Sequence, residues 1–428
     1  MMSLRQRVIK GISWSFVNAV VSRGVLLLTS IVLAHLLVKE EYGLIGIVKS
    51  TIGIFALVAG GGLGIASTKY VAELKLIDKK KIGRILSFSS LFTLFAGISM
   101  CLLLIVFSDY IALYQFNDLR LSSLLKYGAV IIFFESINGY QLGAISGFEA
   151  FKQQAIASII VSFFHFIALI GGTLLFGIDG CMLGYIISRL INWVINNYFI
   201  SKLRKIYDIR LSYRDCYKEF GSFLQLGLPS LINSLVVMTS IWLSNSMLVN
   251  SANGMSEMGT FSACSQLREV ALFIPATVST VVLPILSSLV GESNRNNYGK
   301  VLKYNIAFNF VIVLLIIIPI CLFSEFIMGI FGEGYKSGYL CLVFLMVSCV
   351  FVALNNIVAQ VIVSKSKMWY GFIFNSIWAS IFLLLTHFTC ENNMGALGVA
   401  IAYACSYLIH LIIQSIYALI SLRNDKTV

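Results

Sequence analysis

Four cationic side chains lie inside long apolar runs of this sequence: Arg23, Lys49, Arg189 and Arg268. A helical apolar run of about 20 residues crosses the roughly 30 Å hydrocarbon core of a bilayer. A charge deep inside such a run costs roughly 2.5–3.5 kcal/mol on insertion scales, and this cost is tolerated where the side chain faces a polar cavity instead of lipid. The four residues therefore predict a cavity with excess positive charge, suited to the phosphate oxygens of an anion.

Ion pairing within the membrane does not remove this excess, because only Glu135 and Glu269 lie inside the same apolar runs. We expect Arg23, Lys49 and Arg268 to line the cavity. Arg189 is a less clear candidate, since it lies beside a stripe of polar residues with helical spacing. The stripe either lines the cavity or makes interhelical hydrogen bonds, and the second interpretation is favoured. The stripe is Ser188, Asn192 and Asn196, and it recurs as Ser406, His410 and Gln414.

Titratable groups inside the runs are candidates for coupling transport to a proton or a sodium ion. They are Glu135, Glu269, His165 and His410. Glu135 can equally pair with a cation, and an isolated intramembrane histidine is more often a packing residue. The nine cysteines form no CxxC pair, so neither a metal site nor a disulfide framework is expected. No cofactor is expected either.

The apolar runs dominate the chain of 428 residues, in which 58% are hydrophobic and 12% charged. Soluble domains contain about 25% charged residues, so the composition predicts a polytopic helical membrane protein. Boundaries drawn from the runs give twelve spans. These are 11–37, 42–63, 83–107, 122–147, 153–176, 180–202, 221–249, 257–290, 301–324, 338–363, 368–389 and 395–421.

The loop charges predict the orientation. With the N-terminus in the cytoplasm, the large majority of loop Lys and Arg residues fall on the cytoplasmic side, including a basic stretch at 202–218. The outer loops hold only Lys39, Arg120, Lys126 and Lys336. Cytoplasmic loops of membrane proteins carry this excess of positive charge. We therefore expect both termini to be cytoplasmic, and the net charge of +12 does not indicate nucleic-acid binding.

The two halves of the chain repeat. Matched residues recur at offsets of 216 to 218, in the same order along the chain. The matches include Glu41-Tyr42-Gly43 with Glu257-Met258-Gly259, Asn138 with Asn355, and Tyr185 with Tyr403. Six spans per repeat give two lobes of the same orientation. The predicted fold is all-α, with twelve transmembrane helices in two pseudo-twofold six-helix lobes (1–202 and 221–428) around a central cationic cavity, joined by a basic cytoplasmic connector (203–220).

These features resemble the Wzx-type polysaccharide repeat-unit flippases, whose superfamily also holds the lipid II flippases and the multidrug and toxin extrusion antiporters. The resemblance rests on twelve spans in two lobes, the turn from Leu36 to Gly43, and cations in spans one, two and eight. In the lipid II flippases essential arginines lie in those three helices. Here Arg23, Lys49 and Arg268 occupy the matching places, and Lys49 departs from the pattern. The absence of two extra helices distinguishes the chain from the lipid II branch.

The resemblance implies transport of an undecaprenyl-pyrophosphate-linked oligosaccharide from the cytoplasmic to the periplasmic leaflet of a bacterial inner membrane, for O-antigen or capsule synthesis. A transporter of this kind is not an enzyme, and a glycan polymerase is its expected partner. Two alternatives remain. A multidrug or cation antiporter of the same superfamily would need an anionic cavity, and a membrane-embedded glycan polymerase would need a large periplasmic loop.

Overall fold

The computed structural model describes residues 4–291, 295–364 and 368–424. Helices account for nearly all of them, and no strand occurs in these ranges. The helices are α1 Leu4–Leu36, α2 Lys39–Gly60, α3 Leu63–Leu74, α4 Lys79–Tyr110, α5 Arg120–Gly147, α6 Phe151–Ile206, α7 Phe220–Val249, α8 Gly254–Gly291, α9 Arg295–Leu322, α10 Ser324–Ile330, α11 Tyr339–Ser364, α12 Met368–Glu391 and α13 Gly395–Asn424. Short turns of π-helix (Ile111–Gln115) and 3-10 helix (Cys216–Glu219, Glu333–Gly338) adjoin them.

The longest helix, α6, is a hairpin. Its helical dihedral angles are interrupted at Phe176 and at Gly177, where φ is +60° and ψ is −140°. Glycine adopts this conformation without a Cβ clash. A Cβ on Gly180 would collide with the backbone of Gly172, and one on Gly184 with that of Ala168, so the two arms run antiparallel in close contact. The arms coincide with the predicted spans 153–176 and 180–202.

Each of the other predicted spans also falls on a helix. Eight helices in the described ranges are long and apolar enough to cross a membrane, α6 being counted once although it has two arms. They are α2, α4, α6, α9, α12 and α13, most of α7, and α11 with the turn before it. The prediction of an all-helical, polytopic membrane protein is confirmed. The number of crossings, twelve, stays a prediction.

Two short helices lie where the sequence suggested loops. One of them, α3, follows α2 after Gly61 and Gly62, whose φ angles are +54° and +70°, and it buries Leu63, Ala66 and Val71. The glycine-rich segment thus ends α2 close to residue 63, the predicted end of the second span. The other, α10, precedes the turn that leads into α11. Both were missed because a short helix lacks the long apolar run that reveals a span.

The chain forms two compact units: 1–37 with 47–238, and 38–46 with 239–428. In the first unit, α3, α4, α5 and α6 meet in a core that contains Val71, Ile82, Ile145 and Leu203. The connector also packs on α4, where Arg84 Nε lies 2.9 Å from the buried Glu219 carboxylate. In the second unit α11 packs against α8, α9 and α13. The lobe limits 1–202, 203–220 and 221–428 stay a prediction.

Candidate functional site

The intramembrane cations lie far from the ends of their helices. At a rise of about 1.5 Å per residue, Arg23 is about 20 Å from the end of α1 at Leu36, and Lys49 about 15 Å from the start of α2. Arg268 lies about 21 Å along α8 from its first residue. Half of the hydrocarbon core is about 15 Å thick. In the predicted arrangement of spans these charges lie near the middle of the bilayer, and that depth stays a prediction.

Arg268 rests on two tyrosines of α13. Its guanidinium carbon lies 4.8 Å from the ring centroid of Tyr403 and 5.8 Å from that of Tyr407. Its Nε donates a hydrogen bond of 3.4 Å to Ser348 Oγ of α11. The Ser348 hydroxyl is fully buried and donates to the Leu345 carbonyl at 2.6 Å. Three helices thus converge on one guanidinium group.

No carboxylate of the described residues lies within salt-bridge distance of Arg268, whose partners there are the two rings and the serine. Aromatic faces attract a cation without neutralising it. The group therefore keeps its full charge in a half-buried place. An arrangement of this kind favours an anionic ligand, because an arginine fork matches two oxygens of a phosphate.

Hydrogen bonds fix the position of α13 relative to its neighbours. Asn355 Nδ2 on α11 donates to the backbone carbonyl of Tyr407 at 3.1 Å. Glu257, in the first turn of α8, accepts a hydrogen bond of 2.8 Å from the backbone N–H of Ala396 at the start of α13. This carboxylate satisfies an otherwise unpaired N–H group and lies at the positive end of the helix dipole.

Arg189 has the opposite environment. Its Nη1 lies 3.3 Å from Glu135 Oε1, and the two side chains are 20% and 27% exposed. Its guanidinium carbon is 4.9 Å from the ring centroid of Tyr185. His165 is buried beside it, with Nδ1 2.9 Å from Ser188 Oγ. The structure thus brings Arg189, Glu135 and His165 together, and the carboxylate neutralises the arginine.

The two halves repeat these contacts. Asn138 Nδ2 donates to the carbonyl of Arg189 at 3.3 Å, as Asn355 does to that of Tyr407 at 3.1 Å. Tyr185 and Tyr403, which correspond in the repeat, each lie under a guanidinium group. Position 189 itself differs, because its counterpart is Tyr407. At this position the first unit has Arg189, which Glu135 neutralises. The second unit has Tyr407, whose ring lies under Arg268 of α8.

The polar stripe pairs within each helix. Asn196 Nδ2 donates to Asn192 Oδ1 at 3.0 Å, and the equivalent Gln414 Nε2 lies 2.9 Å from His410 Nε2. All but Asn192 are buried. Along these contacts the stripe bonds to itself one helical turn away, whereas Ser188 contacts His165 on the other arm of α6 at 2.9 Å. The stripe thus makes hydrogen bonds both within and between helical segments, and a role in lining the cavity stays a prediction. A role for His410 in ion coupling stays a prediction.

For Arg23, Lys49 and Glu269, the other predicted site residues, the structure gives the exposure of each side chain. Lys49 and Glu269 are exposed and Arg23 is half-buried. The convergence of Arg23, Lys49 and Arg268 on one cavity stays a prediction. Across the described ranges no three His, Cys, Asp or Glu residues cluster in a way that could hold a metal ion.

Sequence reasoning missed the tyrosine support of Arg268. The available signal was the spacing of Tyr403 and Tyr407, which places both rings on one helical face, together with the repeat of Tyr185. Ser348 carried no signal of its own, because serine is common in apolar helices.

Residues 8–290 match the family model described as "Polysaccharide biosynthesis protein". The EPS I polysaccharide export inner membrane protein EpsE of Ralstonia solanacearum is 20% identical to this chain, over 93% of the chain and 90% of its own length. A membrane protein in the cps region of Klebsiella pneumoniae is 24% identical, over 98% of the chain and 82% of its own length.

Solved structures with the same fold include an inward-facing multidrug resistance MATE family transporter of the MOP superfamily, with a TM-score of 0.80, 17% identity and 96% coverage of both chains. A MOP superfamily transporter from Pyrococcus furiosus, described as having a binding pocket of reverse polarity, has a TM-score of 0.75 at 17% identity, covering 97% of this chain and 96% of its own. With the family model matching well over half of its length, the chain belongs to the polysaccharide biosynthesis protein family and has the fold of MOP superfamily transporters.

Proposed function

We propose that this protein is a flippase for lipid-linked glycan. It moves undecaprenyl-pyrophosphate-linked oligosaccharide repeat units from the cytoplasmic to the periplasmic leaflet of a bacterial inner membrane by alternating access, and it makes or breaks no covalent bond. The glycan is a unit of a surface polysaccharide, O-antigen or capsule. A glycan polymerase is the partner that uses the delivered unit.

The environment of Arg268 is the observation that carries this proposal. The guanidinium group is half-buried, supported by Tyr403 and Tyr407, and has no carboxylate partner within the described chain. An unneutralised charge at this depth costs roughly 2.5–3.5 kcal/mol. A substrate phosphate compensates for that cost, and a pyrophosphate on a lipid tail travels at the same depth. Arg23 and Lys49 supply further positive charge for the head group.

The relatives support the biological setting. The Ralstonia solanacearum relative is named as an inner membrane protein of polysaccharide export, and the Klebsiella pneumoniae relative is encoded in a cps region. Export of a glycan assembled on a lipid carrier requires that its polar head cross the bilayer. Glu135, Glu269, His165 and His410 are the candidates for coupling this step to a proton or a sodium ion.

Arg189 is one of the four cations that the sequence offers for binding pyrophosphate. Its contact with Glu135 indicates a structural role instead. In our proposal the ion pair holds α5 against the second arm of α6, since the salt bridge joins those elements. The head group is then bound by Arg23, Lys49 and Arg268. This assignment makes Arg189 dispensable for binding when Glu135 is neutralised with it.

A multidrug antiporter is the second candidate, because a multidrug resistance transporter shares this fold. A cationic drug would approach Arg268, which has no carboxylate within salt-bridge distance among the described residues. Like charges 4 Å apart repel by about 4 kcal/mol at an effective dielectric constant of 20. The fold also accommodates a pocket described as reversed in polarity, so the shared fold does not select the cationic substrate.

Transport by purified protein in liposomes tests the proposal. The substrate is a fluorescent undecaprenyl-pyrophosphate oligosaccharide placed in one leaflet, and a membrane-impermeant glycosidase reports its arrival in the other. We expect faster arrival than in protein-free liposomes, no transport of undecaprenol lacking the pyrophosphate, and no uptake of a cationic dye. Dye uptake without glycan transport would establish the antiporter instead.

A further inference from the structure

We infer that Tyr403, Tyr407 and Ser348 are positioning residues that hold the Arg268 guanidinium in its pyrophosphate-binding orientation, an inference that rests on the proposed function. The three side chains come from two helices, α11 and α13, and the arginine from a third, α8. They act on substrate only through Arg268. None of them is itself required to touch the head group.

The contacts restrict the guanidinium in complementary ways. The guanidinium carbon lies over both rings, 4.8 Å from the centroid of Tyr403 and 5.8 Å from that of Tyr407. The Ser348 oxygen accepts from Nε at 3.4 Å, and its own proton is donated to the Leu345 carbonyl. The guanidinium group is therefore contacted both at its central carbon and at Nε. An arginine side chain held in this way loses less conformational freedom when it binds an anion.

The support is itself rigid. Tyr403 is 4% exposed and packs against Phe382, with ring centroids 4.5 Å apart. Tyr407 packs against Trp378 at 4.8 Å, and Trp378 stacks on Phe382 at 5.2 Å. The four rings form one continuous cluster beneath a single charge.

The first unit offers a contrast within the same molecule. Tyr185 lies under Arg189 at 4.9 Å, but there Glu135 orients the arginine through a salt bridge. Arg268 has no such partner among the described residues. The two tyrosine rings and Ser348 orient the Arg268 guanidinium as a carboxylate would, but they do not neutralise its positive charge. This combination preserves a cation for the substrate.

Binding of undecaprenyl pyrophosphate to the purified protein in nanodiscs tests the inference. Tyr403→Leu and Tyr407→Leu should each raise the dissociation constant about 3- to 30-fold, since both remove a desolvated cation–π contact. Tyr403→Phe keeps the ring and should bind as wild type does, within about 2-fold. Tyr407→Phe keeps the ring but loses a hydroxyl that interacts with the guanidinium, so it should weaken binding less than Tyr407→Leu does. Tyr417→Phe is the matched control, because Tyr417 lies on α13 but stacks on Tyr370, at 4.7 Å.

A double-mutant cycle separates positioning from simple packing. In an Arg268→Gln background, adding Tyr407→Leu should change the dissociation constant by less than about 2-fold, since the tyrosine has no arginine to act through. An additive effect would overturn the inference, and so would wild-type affinity in both leucine variants. If Tyr403→Leu does not fold, the dissociation constants of Tyr407→Leu and Ser348→Ala decide the result, because Tyr407 is only half-buried. Both constants should then be higher than that of the wild type. Unchanged binding by Arg268→Gln alone would instead refute the anion site of the proposed function.

Discussion

The ion pair between Arg189 and Glu135 gives a sharp prediction, because it separates a structural charge from a substrate-binding one. We consider Glu135→Gln, Arg189→Gln and the double variant. Each substitution removes a charge and keeps a polar side chain, which is of the same size in Glu135→Gln and shorter in Arg189→Gln. The double variant removes the pair without leaving either charge alone.

The magnitude follows from the geometry. Two unit charges at the 3.3 Å separation of this pair attract by about 5 kcal/mol at an effective dielectric constant of about 20. Exposures of 20% and 27% allow some screening, and desolvation offsets much of the remainder, so we expect a coupling energy of about 1–2 kcal/mol. Each single variant leaves an unpaired, mostly buried charge and should lose about 2–4 kcal/mol of unfolding free energy. The double variant should lose about 1 kcal/mol or less.

Unfolding in mixed detergent micelles measures these free energies, and glycan transport in liposomes measures function. The exposed pair of Lys336 and Glu333, 2.8 Å apart, is the control, and Lys336→Gln should have no measurable effect. We expect the double variant to transport at close to the wild-type rate.

Two results would refute this reasoning. If the double variant is stable but inactive, Arg189 binds substrate or Glu135 carries the coupling ion. If the single variants are as stable as the wild type, the ion pair contributes nothing to the fold. Comparing proton-driven with sodium-driven transport in Glu135→Gln then identifies which role the carboxylate has.

Three further predictions concern the rest of the chain. The pair Tyr42→Cys and Met258→Cys, in a background without native cysteines, should crosslink and block transport reversibly. The reason is that Gly46 lies against Met258, and both Tyr42 and Met258 are buried. Full transport by the crosslinked protein would argue against alternating access at these helices. Cysteine labelling should place 75–82, 203–218 and 294–299 in the cytoplasm, and periplasmic labelling at 203–218 would reverse the topology. Glu257→Ala should lower the unfolding free energy by about 1 kcal/mol, since it removes the hydrogen bond to the Ala396 N–H, whereas an unchanged melting temperature would show that this cap is dispensable.

Most of the fold could be predicted because a membrane span has a simple physical signature. Long apolar runs predicted every one of the long helices, and the matched segments Glu41-Tyr42-Gly43 and Glu257-Met258-Gly259 indicated the repeat. The short helices α3 and α10 could not be found in this way. Their formation depends on local packing, such as the burial of Leu63 and Val71 in α3.

The site was predicted less completely, because charge alone does not reveal its partners. The sequence predicted that Arg268 lines the cavity and left Arg189 as a less clear candidate, but it did not show that Arg189 has a carboxylate at 3.3 Å and Arg268 two tyrosine rings. Those partners come from helices distant in sequence. Which helix faces which is decided by tertiary packing, and a single sequence shows only spacing along one helix.

The central claim is that an unneutralised cationic site carries a pyrophosphate-linked glycan across the membrane. Its most direct test is the initial rate of transport of the lipid-linked oligosaccharide by purified Arg23→Gln, Lys49→Gln, Arg268→Gln and Lys49→Arg proteins, each shown to insert and fold as the wild type does. We predict that the three glutamine variants lose at least about 10-fold in rate, which corresponds to about 1.4 kcal/mol, and that Lys49→Arg retains transport. Wild-type rates in all three glutamine variants would contradict the account.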